Sequence, residues 1–316
     1  GTDMTSLAPI FELTPGATIS PASGSVQNFT TPVRYTVTSE DKAWHRVYAI
    51  TAREQKASNI PTTYHFEKVR IMQNVWQEFY EEQDSGNELT WASGNKGFKW
   101  AMSEAATEDY PTTQIDNGKT GKCVKLETRL TGDLGNMVGM PIAAGNLFIG
   151  SFDMLNAITN PLSATRFGTP FYNKPLRLTG YYKYKAGEQF YENGEYTSRK
   201  DIFNIYAIFY DGVKYDSAGK GTDVTLDGNL PNQNYEHSSM VALALVSNPQ
   251  ETEGDEWKFF DIPFDYQRYG KKIDEARLAK GEYKIGIIFA SSKDGATFEG
   301  APGSTLLIDE VELIYE

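Results

Sequence analysis

The sequence predicts an all-β protein built from two antiparallel sandwiches, a small one in front and a larger two-sheet jelly roll behind. Three observations carry this. Short segments of alternating polarity recur along the 316 residues, Gly/Pro turns separate them, and only one segment has helical spacing. The 40% hydrophobic and 13% aromatic content is ample for sizeable cores.

Residues 1–66 read as the first domain. Ala17 to Val26 is a short strand entering a Pro/Gly turn, Val33, Tyr35 and Val37 share one face of the next strand, and Trp44 to Ile50 supplies a third. From 67 to 316 the strands come regularly, at 122–129, 147–153, 174–185, 202–210, 240–246, 257–264, 283–290 and 304–315. Eight strands without long helices suit a jelly roll. Residues 271–280 space Ile273, Ala276 and Leu278 as a short helix stopped by Gly281. In the last strand the apolar set is Leu306 and Ile308 before Asp309-Glu310, but Val311, Leu313 and Tyr315 after it. That change of parity predicts a β-bulge at Asp309-Glu310.

The charge balance, 30 Lys and Arg against 42 Asp and Glu, argues against nucleic acid or an anionic membrane as partner. A single cysteine, Cys123, allows no intrachain disulfide and reads as a buried structural thiol. His45, His65 and His237 lack metal-site spacing, and Gly219-Lys220-Gly221-Thr222 lacks that of a phosphate loop.

Two stretches carry family resemblances. Gly16-Ala17-Thr18-Ile19-Ser20-Pro21-Ala22-Ser23-Gly24, followed by Val33-Arg34-Tyr35-Thr36-Val37-Thr38-Ser39-Glu40, resembles the immunoglobulin-like module at the front of many Bacteroidetes surface and periplasmic lipoproteins. Pro175 to Tyr184, Ile205 to Gly212, Trp257 to Phe264, and Ser291-Ser292-Lys293-Asp294-Gly295 with Gly303 to Val311 resemble the putative carbohydrate metabolism domain family of Bacteroidetes. The resemblance implies a jelly roll akin to carbohydrate-binding modules, on an exported outer-membrane lipoprotein of a glycan-utilisation system. The membrane would be reached only through a lipid anchor outside this sequence. A glycan, and other outer-membrane glycan-uptake proteins, are the implied partners. Gly1 in place of Met fits a chain from which an export signal has been removed.

Sugars stack their C–H faces on aromatic rings and bond their hydroxyls to planar polar groups. Aromatics opposite the core face are therefore the candidates. If Phe203, Ile205, Ala207 and Phe209 face the core, Asn204, Tyr206, Ile208 and Tyr210 face away; likewise Trp257 and Phe259 face away from Phe260, Ile262 and Phe264. Arg177, Tyr181 and Lys183 alternate with Leu178, Tyr182 and Tyr184. The expected carbohydrate-binding set is Tyr182, Tyr206, Tyr210 and Trp257 for stacking, with Asn204, Asp211 and Glu299 for hydroxyls. For each ring the competing expectation is packing beneath a second layer.

Hydrolysis is the alternative. It needs two carboxylates flanking the bond, and Asp201, Asp211, Glu299, Asp309 and Glu310 sit at strand ends or loops without a motif that fixes a role. A structural accessory subunit of a glycan-uptake complex is the third reading. No cofactor is expected, beyond an outside chance of structural calcium on Asp309 with an acid such as Glu78.

Overall fold

The computed structural model describes residues 3–52, 57–83 and 85–316; Gly1 lies outside them. The chain divides into two compact units, Gly1–Ala57 and Ser58–Glu316. In the first, Val33–Thr38 is the middle strand of a three-stranded antiparallel sheet, between Thr18–Ser20 and His45–Ile50. Tyr35 is buried against Phe11, their rings 4.7 Å apart. Trp44 stands exposed just before the last strand.

The contact boundary after Ala57 lies ahead of residue 66 for a packing reason. Thr63–Tyr64 pairs with Val311 and Glu312 of the closing strand, and Tyr64 and Phe66 are fully buried around Trp91 in the larger core. Burying such rings contributes roughly 1.5–3 kcal/mol each, and for Tyr64 and Phe66 the partners lie in the larger unit.

The second unit is a sandwich of two antiparallel sheets. One runs, edge to edge, through Lys258–Pro263, Pro175–Lys185, Thr305–Tyr315, Lys122–Glu127 and Thr112–Asp116. The other runs through Asn146–Phe148, Tyr283–Ala290, Asn204–Asp211 and Met240–Leu245. The chain passes repeatedly from sheet to sheet, as in a jelly roll, and the inner faces meet in one core that includes Tyr182, Phe203, Ile205, Phe289 and Ile308. All eight strands read from alternation are present, with one broken. Asn146–Phe148 and Gly150–Phe152 enter different sheets, because Gly150 turns with φ of +150°, where a Cβ would lie 2.0 Å from the Arg166 carbonyl oxygen.

The closing strand carries the bulge. Opposite Thr179 and Tyr181 its register slips between Asp309 and Glu312, and Glu310 adopts φ of +49°. Asp309 stabilises the irregularity by accepting from the backbone N–H of Glu310 at 2.8 Å and of Thr120 at 3.0 Å. The short helix is also present, as Glu275–Leu278 capped by the Asp274 carboxylate. Three other short helices, Asn95–Ala101, Gly132–Met137 and Met154–Thr159, interrupt what alternation and turn residues alone read as strand and loop.

Asp201, just before the central strand Asn204–Asp211, organises the loop that precedes the closing strand. Its buried Oδ2 accepts from Ser292 Oγ at 2.6 Å, Ser304 Oγ at 2.7 Å and the Ala301 N–H at 2.7 Å, and Oδ1 accepts from Ile202 N–H. Burial pushes its pKa up, and the donors oppose that shift. Asp201→Ala leaves these donors without their acceptor and should cost about 2–4 kcal/mol. Chemical denaturation should show that loss, and limited proteolysis should cut first within 291–303; an unchanged cleavage pattern would refute the role.

Candidate functional site

The parity inferred for the central strand is correct, and its consequence differs from the expectation. Phe203, Ile205, Ala207 and Phe209 enter the inter-sheet core, while Tyr206, Ile208 and Tyr210 form a second core with Phe148, Phe167, Leu226 and Tyr235. A small outer layer, the strands Gly150–Phe152, Thr165–Phe167 and Leu226–Asp227, covers that face. Every residue from Asn204 to Tyr210 is therefore buried.

The expected binding residues are accordingly scattered. Tyr210 is fully buried, its hydroxyl donating to the Phe167 carbonyl at 2.6 Å. Tyr182 lies between the sheets with its ring 4.8 Å from that of Phe203. Neither has a face free for a sugar. Tyr206 is 2% exposed and packed edge-on against Phe167 and Tyr235. Asn204 donates Nδ2 to the Tyr235 hydroxyl at 2.8 Å. Asp211 lies at the opposite end of the same strand, about 23 Å away at the usual rise per residue. There Arg277 of the short helix grips both its oxygens, at 2.8 and 2.6 Å, while also bonding Glu282. Glu299 sits partly exposed at the Asn204 end, in the loop whose Lys293 N–H donates to the Ile202 carbonyl. Trp257 is apart from all of these, on the outer face of the other sheet.

That outer face holds an aromatic strip. Phe259 lies opposite Tyr181 in register, their rings 5.2 Å apart, and Phe259 is 53% exposed. Trp257 immediately precedes this strand, its ring beside Lys183, two residues along from Tyr181 on the neighbouring strand. Charged groups edge the strip: Lys119 Nζ lies 4.9 Å from the Tyr181 ring centroid and Lys183 Nζ 5.0 Å from that of Trp257. Lys183 also bonds Asp255 at 2.5 Å, and Arg177 bonds Asp261 at 2.6 Å on the adjoining positions. Phe259 and Tyr181 carry the outward parity in the sequence; what alternation does not show is that cross-strand register makes them neighbours.

A separate pocket opens at the Asn204 end. It has a volume of about 170 Å³ and lies among the three short helices, the second core and the 293–298 loop, with Phe98, Trp100, Phe152 and Phe298 in its wall and Asn204 and Tyr206 against it. Gly97 lets the Phe152 ring close this wall, since a Cβ there would meet the ring at 3.2 Å. The sequence signal for these wall residues was weak, because a seven-residue helix holding a mid-helix glycine hardly differs from a turn.

The remaining candidates lie elsewhere in the second unit. Cys123 is fully buried, and burial pushes its thiol up to about 12. Glu310 pairs with His65 at 3.0 Å. Glu78, proposed beside Asp309 for calcium, lies instead across a hairpin from Arg70, with the Glu88 carboxylate near. Among the described residues no group of three or more His, Cys, Asp or Glu could hold a metal ion.

Residues 65–314 match the model of the putative carbohydrate metabolism domain family. The chain belongs to that family. Residues 1–52 match the model described as SGBP, N-terminal. Two solved structures are similar to this family member. One, from Bacteroides vulgatus, is described as a putative glycoside hydrolase; it is 50% identical over 82% of this chain and 100% of its own, with a TM-score of 0.76. The other, from Bacteroides thetaiotaomicron and described in the same words, is 47% identical over 100% of this chain and 88% of its own, with a TM-score of 0.73. No curated protein matches the chain.

Asp309 gives the site region a testable pH dependence. Burial pushes its carboxyl up to about 6, against the two N–H donors and assisted by Glu310. A raised carboxyl pKa means that the folded chain binds more protons than the unfolded one between about pH 4 and 6, so this contribution to stability falls as pH rises through that window. The melting temperature of the wild type relative to Asp309→Asn should be higher by a few degrees at about pH 4.5 than at pH 7. A difference independent of pH would refute the shift.

Proposed function

We propose that the protein binds a glycan without covalent chemistry, on the outer-sheet strip formed by Trp257, Phe259 and Tyr181. The observation that carries this is the exposed Phe259 ring, held beside Tyr181 by strand register, with Trp257 beside Lys183 just before the strand begins. Rows of rings at such spacing present flat apolar faces to the C–H surfaces of successive sugars. The ion pairs Arg177–Asp261 and Lys183–Asp255 stand at the edges as donors and acceptors for hydroxyls. Membership of a carbohydrate metabolism family and the SGBP match at the front support a glycan as ligand and a cell-surface setting. The first unit then serves as a spacer, and the membrane is reached through a lipid anchor.

The hydrolase descriptions of the two Bacteroides relatives keep catalysis in view. A glycosidase places two carboxylates about 5–9.5 Å apart around the bond. Here Asp201 and Asp309 are buried in hydrogen bonds, Asp211 is occupied by Arg277, and Glu299 lies at the other end of the central strand from Asp211. These positions support binding over hydrolysis.

A glycan array on the full chain should identify a ligand. Phe259→Ala and Trp257→Ala should each weaken its binding about tenfold, with circular dichroism unchanged. Equal affinity in both variants would remove the strip as the site. Release of reducing sugar that disappears in Glu299→Gln would establish catalysis instead.

A further inference from the structure

The pocket at the Asn204 end is unlike a sugar site in its chemistry. Its wall is made of Phe98, Trp100, Phe148, Phe152, Met154 and Phe298, and of the polar side chains it touches Asn204, Asn146, Thr131 and Ser292 are already engaged. Asn204 Nδ2 bonds Tyr235. Asn146 accepts from the Gly94 N–H and donates to the Ala144 carbonyl. Thr131 donates to the Met140 carbonyl, and Ser292 is held by Asp201 and Thr128. A hexose placed here would lose the water bonds of several hydroxyls and find few partners, at about 1–3 kcal/mol for each group left unpaired.

Size and wall chemistry point elsewhere. An apolar cavity of roughly 150 Å³ lined by Leu, Ile and Phe stays dry and admits benzene. This pocket, at about 170 Å³, has that capacity and a richer aromatic wall. Lys293 stands exposed among its lining residues, with no ion-pair partner among the described residues. Trp100, in the wall itself, is 37% exposed. A ring-sized apolar hole with an exposed ammonium among its lining residues suits a ligand that is part apolar and part polar.

We propose that this pocket is a second ligand site, separate from the outer-sheet strip, that takes a single aromatic ring and leaves the polar remainder of the ligand at the mouth beside Lys293. The test is fluorine NMR on the full chain with 4-fluorobenzyl alcohol as probe. Saturable binding with a dissociation constant below about 1 mM is expected, which needs only a moderate free energy per ligand atom. Ala157→Phe, a half-buried position on the helix wall, should fill the space and weaken the probe at least tenfold. Methyl glucoside should not compete, and Phe259→Ala should leave the probe's affinity unchanged even where it weakens glycan binding. Crystals soaked with 4-bromobenzyl alcohol should show bromine inside the wall of Phe98, Phe148 and Phe152, which decides the matter if Ala157→Phe fails to fold. No saturation up to about 10 mM, a pocket left empty of bromine, or competition by methyl glucoside would each overturn the assignment.

Discussion

Two-sided burial of the central strand is the constraint on which the rest of the second unit depends. Asn204–Asp211 pairs with Tyr283–Ala290 along its whole length, and its alternate side chains fill two different cores. A strand in that position presents no exposed platform on either face, and only its Asn204 end reaches a pocket. Anything that binds must use the far face of the opposite sheet or the ends of the sandwich. The outer strip and the helix-walled pocket occupy those two places.

Buried carboxylates hold the ends in shape. Asp201 gathers Ser292, Ala301 and Ser304 and so fixes both ends of the polar loop between the strand Tyr283–Ala290 and the closing strand. Asp309 does the same on a smaller scale, tying the Thr120 loop to the bulge. Arg277 clamps the opposite end through Asp211 and Glu282. These acids resemble catalytic candidates in the sequence because they are acids at strand ends. Their hydrogen bonds tie loops and strand ends together, and for Asp201 and Asp309 they offset only part of the cost of burial.

Much of the fold was legible in the sequence. Period-2 alternation located seven of its eight strands as single elements and read two short ones as the eighth, and the parity change at Asp309-Glu310 located the bulge, because both arise from local side-chain direction along one strand. The outward parity of Tyr206 and Tyr210 was legible too, but the layer that covers them was not. That layer comes from Gly150–Phe152, Thr165–Phe167 and Leu226–Asp227, three short pieces far apart in the chain and individually without periodic signal. Phe148 and Phe152, four residues apart in one apparent strand, end in different sheets that face each other across the second core, because the Gly150 turn intervenes.

What the sequence alone determined, then, is which residues form strands, which way each side chain points and which broad family the chain joins. Only the tertiary structure decided which outward rings meet solvent and which acids are free. Tyr181 and Tyr210 are both outward-facing tyrosines on core strands, yet one borders an exposed strip and the other is sealed under Phe167. The difference is physical: side-chain direction is a property of the local backbone, whereas exposure depends on what distant segments pack above it.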